Sequence, residues 1–510
     1  MWNKISNSLL FYSEDFYNND LYKNRHFIKQ IYFYYKNKGF KNILLTQFIN
    51  ILISIFLFIL ILFLFNCIDY KELLEITDYN KLSNFIKWNK LFKFNAFFLC
   101  LFISFILFII TKIINLVEMF FNYSKIKTYF NTNLNISEEK LSYIKWIDVI
   151  NKLENYNNET IDIYKINSII LFYENYLNAI FDSNIINLYH LTNLMEWNIN
   201  YCILFKMFEK DLELETDKKK TIYLRLRVVA IMNFIFMPFI LVFMLFYNIF
   251  NYGEEFYNKP TLITTRIFTK KAQWKYKYYN ELQHDFDERL NKIDKASKTY
   301  LTQFKNDYIN ALSKLIVFIC SSFFILLVVL TFINDKILIY VTLFNNKSIL
   351  WVISILASLI AIFKHSRQNL IEPKIYMKEI SNTLYLKPDF VDKSNSDEIK
   401  KLFIKDYQYK IIIIIKDIIY TILTPFRLWL LANNIENIIN FINTNISDNE
   451  FNSCKLAEFN SDLFLGLEDD SNISKQTKSL EYFNILYPEW YTYMINKLNG
   501  RTNEIRVNVI

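Results

Sequence analysis

Glu281-Leu282-Gln283-His284 places a carboxylate and an imidazole three residues apart. On a helix both side chains would share one face, the spacing that di-iron bundles use. Such a centre also needs a second copy and two more glutamates on facing helices, and the chain has no second copy. With four histidines in 510 residues, metal binding is not expected, and no cofactor is implied. Phosphate-cradling loops need glycine, and there are four glycines in all. G-x-S-x-G, H-E-x-x-H, the P-loop and G-x-G-x-x-G are all absent. Bond-making catalysis is therefore not expected. Cys67, Cys100, Cys202, Cys320 and Cys454 have no CxxC spacing and read as small core residues in a reducing or lipid environment.

The surrounding stretch, Trp274–Ile293, repeats Trp274, Tyr278, Leu282, Phe286 and Leu290 every four residues. Glu281, His284, Asp285, Glu288 and Arg289 stand beside that stripe. The plain reading is a solvated surface helix packed by its aromatic stripe, and it is favoured for most of these positions. The alternative is a polar lining along a lipid-headgroup path, fed by Lys270, Lys271, Lys275 and Lys277.

The elements that must hold these residues are helical and membrane-bound. The chain is 53% apolar and 18% aromatic with six prolines, a composition that favours helix over sheet. Asn42–Ile68 and Phe94–Thr111 are uncharged runs, as are Leu315–Asn334 and Ser348–Phe363, and the four read as two pairs of crossings. Arg25, Lys29, Lys36, Lys38 and Lys41 put the N-terminus in the cytosol. The net charge of +8 suits anionic lipid, and nucleic acid is not the expected partner. Ile161–Phe181 spaces apolar residues by three and four and reads as an amphipathic helix, docked on the protein or lying on the membrane, with core packing favoured.

Val228–Phe250 is uncharged over 23 residues, with Pro238 in its middle and basic residues on both flanks. One reading is a kinked crossing. The other is a segment that enters, turns at Pro238 and leaves by the same face. Lys/Arg-rich flanks on both ends favour re-entry, since crossing would strand the basic loop 251–314 outside. Ile411–Phe426 carries Lys416, Asp417 and Pro425, and each charge at a helix centre costs about 2.5–3.5 kcal/mol on insertion, so a second re-entrant hairpin is expected there. Residues 447–510 read as a mobile polar tail with an aromatic docking patch at Tyr482–Tyr493.

Several motifs in order resemble one family. They are Tyr35-Lys36-Asn37-Lys38-Gly39-Phe40, the span end Cys67-Ile68-Asp69-Tyr70, and Arg225…Asn233…Pro238. Tyr278 to His284 with Arg289-Leu290 and Lys295-Ala296-Ser297 follow, then Leu423-Thr424-Pro425-Phe426. Over residues 25–450 this is similar to the autophagy-related protein 9 family. The resemblance implies a homotrimer and an ATP-independent phospholipid scramblase of autophagic vesicles that supports autophagosome formation. It implies an all-α integral membrane protein with four transmembrane helices, two re-entrant membrane hairpins per subunit and cytosolic helices. Implied partners are membrane phospholipids, a lipid-transfer protein of the autophagy-related protein 2 type and an autophagy initiation kinase complex. Implied locations are the preautophagosomal structure, the autophagosome membrane, Golgi- and endosome-derived cytoplasmic vesicles and the endoplasmic reticulum. One departure is that only Lys259 carries charge in Tyr257-Asn258-Lys259, where the family has a charged cluster.

The expected division is a cytosolic segment 1–41, a first helix pair 42–119, cytosolic helices 120–227 and a hairpin 228–252. Cytosolic helices 253–310, a second pair 311–363 and cytosolic helices 364–407 come next. A hairpin 408–432 at the trimer contact and a cytosolic region 433–510 complete it. A polar furrow would let headgroups slide while acyl chains stay in lipid. Its candidate lining is Lys259, Arg266, Glu281, His284 and Arg289, with Arg225 and Asn233 near the hairpin and Pro238 and Pro425 as its breaks. For Arg225 and Arg289, snorkelling or a cytosolic salt bridge is the competing role. A channel or solute carrier, and a non-scrambling membrane-shaping and recruitment scaffold, are the alternative functions.

Overall fold

The computed structural model describes residues 25–68, 86–90, 96–157, 162–186, 191–208, 219–258, 265–303, 307–333, 342–344, 347–363, 372–386, 389–447, 452–459, 461–464 and 474–496. It falls into two compact units. The first comprises Met1–Tyr247, Lys277–His284 and Tyr420–Ile510; the second comprises Asn248–Tyr276 and Asp285–Ile419.

In the first unit the helix Arg25–Lys36 buries Phe27, Ile28, Ile31, Tyr32 and Tyr34. It ends in a tight turn where Lys38 has φ 57° and Gly39 φ 101°. A side chain at Gly39 would be strained by that φ and would press on Glu138 Cγ at 3.2 Å. Glu138 in turn accepts the Phe40 N–H at 3.2 Å and the Tyr34 hydroxyl at 3.3 Å. This turn launches the helix Phe40–Leu62, which closes in a π-turn at Phe63–Cys67. The helix Ala96–Thr132 packs beside it, with Phe58 and Phe105 stacked at 3.8 Å. Lys112 does not end that second helix: it runs on to Thr132, through the expected boundary at residue 119. An extended apolar run continues as helix past one lysine because backbone bonding in lipid has no alternative partner.

The core of this unit gathers Tyr34, Ile126, Phe130, Val149, Ile150 and Ile163 with Phe483 and Tyr487 of the C-terminal region. The stretch expected as one amphipathic helix over 161–181 is two, Ile163–Ile170 and Phe172–Asp182, broken at Leu171. Both are docked on protein, as the core reading required. The aromatic patch also docks: Trp490 donates to Asp162 Oδ1 at 2.8 Å and packs edge-on against Phe483 at 4.9 Å.

The second unit adds a little sheet to the expected all-helical class. Arg266–Phe268 pairs antiparallel with Tyr407–Tyr409. Helices Lys270–Tyr276, Pro373–Leu384 and Asp397–Asp406 surround a core of Phe268, Tyr276, Tyr300, Met377, Ile380, Phe403 and Tyr407. Tyr276 donates its hydroxyl to Asp406 at 2.6 Å, and Tyr407 donates to Asp294 at 2.7 Å. The apolar helices Asp307–Ile333 and Ile349–Phe363 pack against one another.

Among the described residues four helices are long and apolar enough to cross a membrane: Phe40–Cys67, Phe102–Thr132, Lys219–Phe250 and Ala311–Phe332. That set differs from the expected one. Ile349–Phe363, with 15 residues, is a shorter apolar helix, and Lys219–Phe250 takes its place by length.

The breaks expected at the two prolines are not present. Lys219–Asn258 is one 40-residue helix through Pro238, and Lys410–Asn433 is one helix through Pro425. Proline removes one backbone hydrogen bond and crowds the preceding turn, which a helix absorbs by kinking when its other bonds have no competitor. Neither segment folds back on itself at its proline, so the turns expected at Pro238 within 228–252 and at Pro425 within 408–432 are corrected to continuous helix.

Candidate polar site on the membrane helix

The basic end of the Lys219–Asn258 helix is held by aromatic rings. Arg225 and Arg227 are two residues apart and therefore leave the helix in different directions. The Arg225 guanidinium lies 3.9 Å from the ring centroid of Tyr201. Tyr201 belongs to a π-turn, Asn200–Leu204, and stacks on Trp197 at 5.1 Å. The Arg227 guanidinium lies 3.6 Å from the Trp429 ring, near the end of the Lys410–Asn433 helix, and donates to Asn433 Oδ1 at 2.7 Å. Stacking of this kind contributes about 0.5–2 kcal/mol each and leaves the edge of the guanidinium available to acceptors.

Two turns on from Arg225, Asn233 donates to Val229 O at 3.0 Å and to Asn198 Oδ1 at 3.3 Å. Asn198 is fully buried, and its Nδ2 has no hydrogen-bond partner. Farther along, Thr421 and Thr424 are buried beside Pro425, and Phe234 meets Phe426 at 6.1 Å. Cationic and amide groups from three elements thus surround, on different sides, the first turns of an otherwise apolar helix. Cys202 lies beside Arg225, but burial outweighs that charge and pushes its thiol up to about 12, so it stays a thiol. Cys67, Cys320 and Cys454 are buried free thiols too, as expected of core residues.

The remaining expected lining residues make other contacts. Lys259 falls outside the described residues. Glu281 and His284 belong to the first unit, within the eight-residue segment Lys277–His284. Glu281 is 2% exposed and accepts the Tyr278 N–H at 2.9 Å, closing the turn ahead of the next helix. That helix, Gln283–Gln303, starts after Glu281, so the metal-like spacing is not helical. No cluster of three metal-ligating side chains occurs among the described residues. His284 Nδ1 is 3.0 Å from the Tyr32 hydroxyl, in a ring cluster with Tyr35.

Arg266 and Arg289 belong to the second unit. Arg266 stacks on Tyr409 at 3.8 Å and donates to Tyr407 O at 3.3 Å, bracing the strand pair. Arg289 is buried and donates to the backbone carbonyl of Tyr276 at 2.7 Å. Arg225, for its part, is held by the Tyr201 ring. The four-residue stripe is likewise not one surface helix. Lys270–Tyr276 and Gln283–Gln303 are separate, and Lys277, Asn280 and Glu281 between them are buried.

Sequence reasoning left out Arg227, Asn198, Tyr201 and Trp429. Arg227 was legible as part of an Arg-x-Arg pair before an uncharged run. The other three announce themselves only through packing.

A family model for the autophagy protein ATG9 matches residues 20–460. The autophagy-related protein 9 of Saccharomyces cerevisiae (strain YJM789) is 27% identical, over 85% of this chain and 47% of that protein. The autophagy-related protein 9 of Dictyostelium discoideum is 24% identical, over 91% of this chain and 72% of that protein. This chain spans about half the length of the yeast relatives it matches. A solved structure of Schizosaccharomyces pombe Atg9 shares the fold with a TM-score of 0.62, at 24% identity, covering 86% of this chain and all of that one. With the apolar helices and the match in place over residues 20–460, the chain belongs to the autophagy protein ATG9 family.

Proposed function

We propose that this protein is an ATP-independent phospholipid scramblase of autophagic vesicle membranes, supporting autophagosome formation and expansion. The observation that carries this reading is the ring-held Arg225 and Arg227 at the start of a long apolar helix, with the Asn198–Asn233 amide pair farther in. A lipid phosphate leaving water needs donors along its route, because an unpaired charge in hydrocarbon is costly. Arginine held by ring stacking presents its fork to phosphate oxygens without having to be ordered first. Amides farther in extend the polar route while acyl chains remain in lipid.

The whole assembly proposed is a homotrimer in vesicles of Golgi or endosomal origin and at the preautophagosomal structure. It would relax leaflet imbalance as a lipid-transfer protein of the autophagy-related protein 2 type delivers lipid to one leaflet, with an autophagy initiation kinase complex as a further partner. The experiment is a leaflet-accessibility assay on purified protein in liposomes whose labelled lipid is quenched from outside. Both leaflets should quench without ATP, and Asn233→Leu should slow this about tenfold, equivalent to about 1.4 kcal/mol of barrier. Quenching that stops at one leaflet for the unmodified protein overturns the reading. A second reading, a membrane-shaping scaffold without transport, is favoured by the broad apolar faces left exposed on Lys219–Phe250. Vesicle remodelling with one-leaflet quenching would select it.

A further inference from the structure

Two helices carry a proline in their interior, Pro238 in Lys219–Asn258 and Pro425 in Lys410–Asn433. The other two prolines among the described residues, Pro373 and Pro488, stand at the first position of a helix, where the missing N–H costs nothing. Residues 219–247 and 420–436 belong to the first unit, and there the two chains are tied at several levels. Lys219 is ion-paired to Glu436, just past the end of the second helix. Arg227 lies 3.6 Å from the Trp429 ring and donates to Asn433. The rings of Phe234 and Phe426 meet edge-on at 6.1 Å, and the Thr421 hydroxyl donates to Met244 Sδ at 3.8 Å. As one chain runs forward its partners run backward, so the pair is antiparallel.

Both prolines fall within one interval of this ladder. Pro238 lies between Phe234 and Met244, and Pro425 lies between Thr421 and Phe426. Each proline withholds the N–H that the carbonyl four residues back would accept, that of Phe234 in one helix and of Thr421 in the other. Each helix is therefore short of one backbone bond, and so bends most easily, at the same level as its neighbour. Thr421, Thr424, Pro425 and Leu428 are buried, so a bend in the second helix must carry packed neighbours with it.

We propose that Pro238 and Pro425 form one paired hinge, at which the two helices bend together and not separately. Bending one helix alone would pull apart the Thr421–Met244 contact on one side of the prolines or the Arg227–Trp429 contact on the other. A joint bend keeps every tie and swings residues 239–247 and 420–424 as one piece. Pro238 stands five residues beyond Asn233, so this swing widens or narrows the way past the Asn198–Asn233 amide pair. That consequence rests on the transport reading; the hinge itself does not.

The test reads bending and not transport. Encoded keto amino acids at Asn151 and Leu245, both exposed and both in the first unit, take spin labels without touching the native thiols. Labelled chain is co-expressed with excess unlabelled chain, so that label pairs lie within one chain, and distances are measured in nanodiscs by pulsed electron resonance. A bend of about 20° at Pro238 sweeps residue 245, about 10 Å beyond it, by about 4 Å. Pro238→Ala restores the missing N–H and should narrow the distance distribution by about that amount. Pro425→Ala should narrow it equally, although it leaves the labelled helix unaltered. Adding Arg227→Ala to Pro425→Ala removes a tie and should return the original width. Pro488→Ala, at the surface, should change nothing. An unaltered distribution in Pro238→Ala or in Pro425→Ala overturns the paired hinge. So does an equal narrowing in Pro488→Ala, or a narrowing by Pro425→Ala that survives the loss of Arg227.

Discussion

Asn280 has φ 57°, in the left-handed region that asparagine tolerates better than most residues. Its Oδ1 accepts from Asn175 at 2.8 Å and Ser168 at 3.2 Å, its Nδ2 donates to Ala457 O at 2.7 Å, and its N–H reaches Asn175 Oδ1 at 3.1 Å. One buried residue therefore joins two helices and the chain near 457. Asn280→Ala would strain the backbone and leave buried polar atoms unmatched. We expect a loss of about 2–4 kcal/mol, read as a lowered unfolding midpoint in detergent, with Asn280→Asp losing less. An unchanged midpoint would show that these bonds are replaced by water. The sequence offered Asn280 only as a letter in a motif, because its partners lie far along the chain. Glu281 was legible as a special residue and misread as part of a lining, since spacing does not report that a turn precedes the helix.

Elements read well from uncharged runs and poorly at their ends. Phe40–Leu62 and Asp307–Ile333 cover most of the expected runs Asn42–Ile68 and Leu315–Asn334, since twenty apolar residues leave few alternatives in lipid. Ala96–Thr132 and Lys219–Asn258 overran it, because polar residues extend a helix once lipid has nucleated it. Pro238 was legible as a defect but not as a survivable one. The charge on both flanks still asks for one side of the membrane, and a continuous helix would meet that demand by lying obliquely in one leaflet. Cysteines replacing Lys220 and Thr265 should then react with an impermeant maleimide from the same side. Reaction from opposite sides would make this helix a crossing.

At the scale of the whole molecule, the proposed homotrimer makes a prediction about mass. Native mass measurement in detergent should give three times the chain mass of 61.8 kDa. A particle of one chain mass would set the trimer aside. Class and family were legible because hydropathy and ordered motifs survive at 27% identity. The split into two units was not, since it depends on long-range packing. The first unit takes its residues from the beginning, a short middle piece and the end of the chain. A ribosome emits these in order, so the pocket around Tyr34 and Ile163 waits until Phe483 and Tyr487 have been made. During that interval its apolar lining is exposed to whatever else the cell has made, and the segment that carries Phe483 and Tyr487 acts as the stopper that closes it.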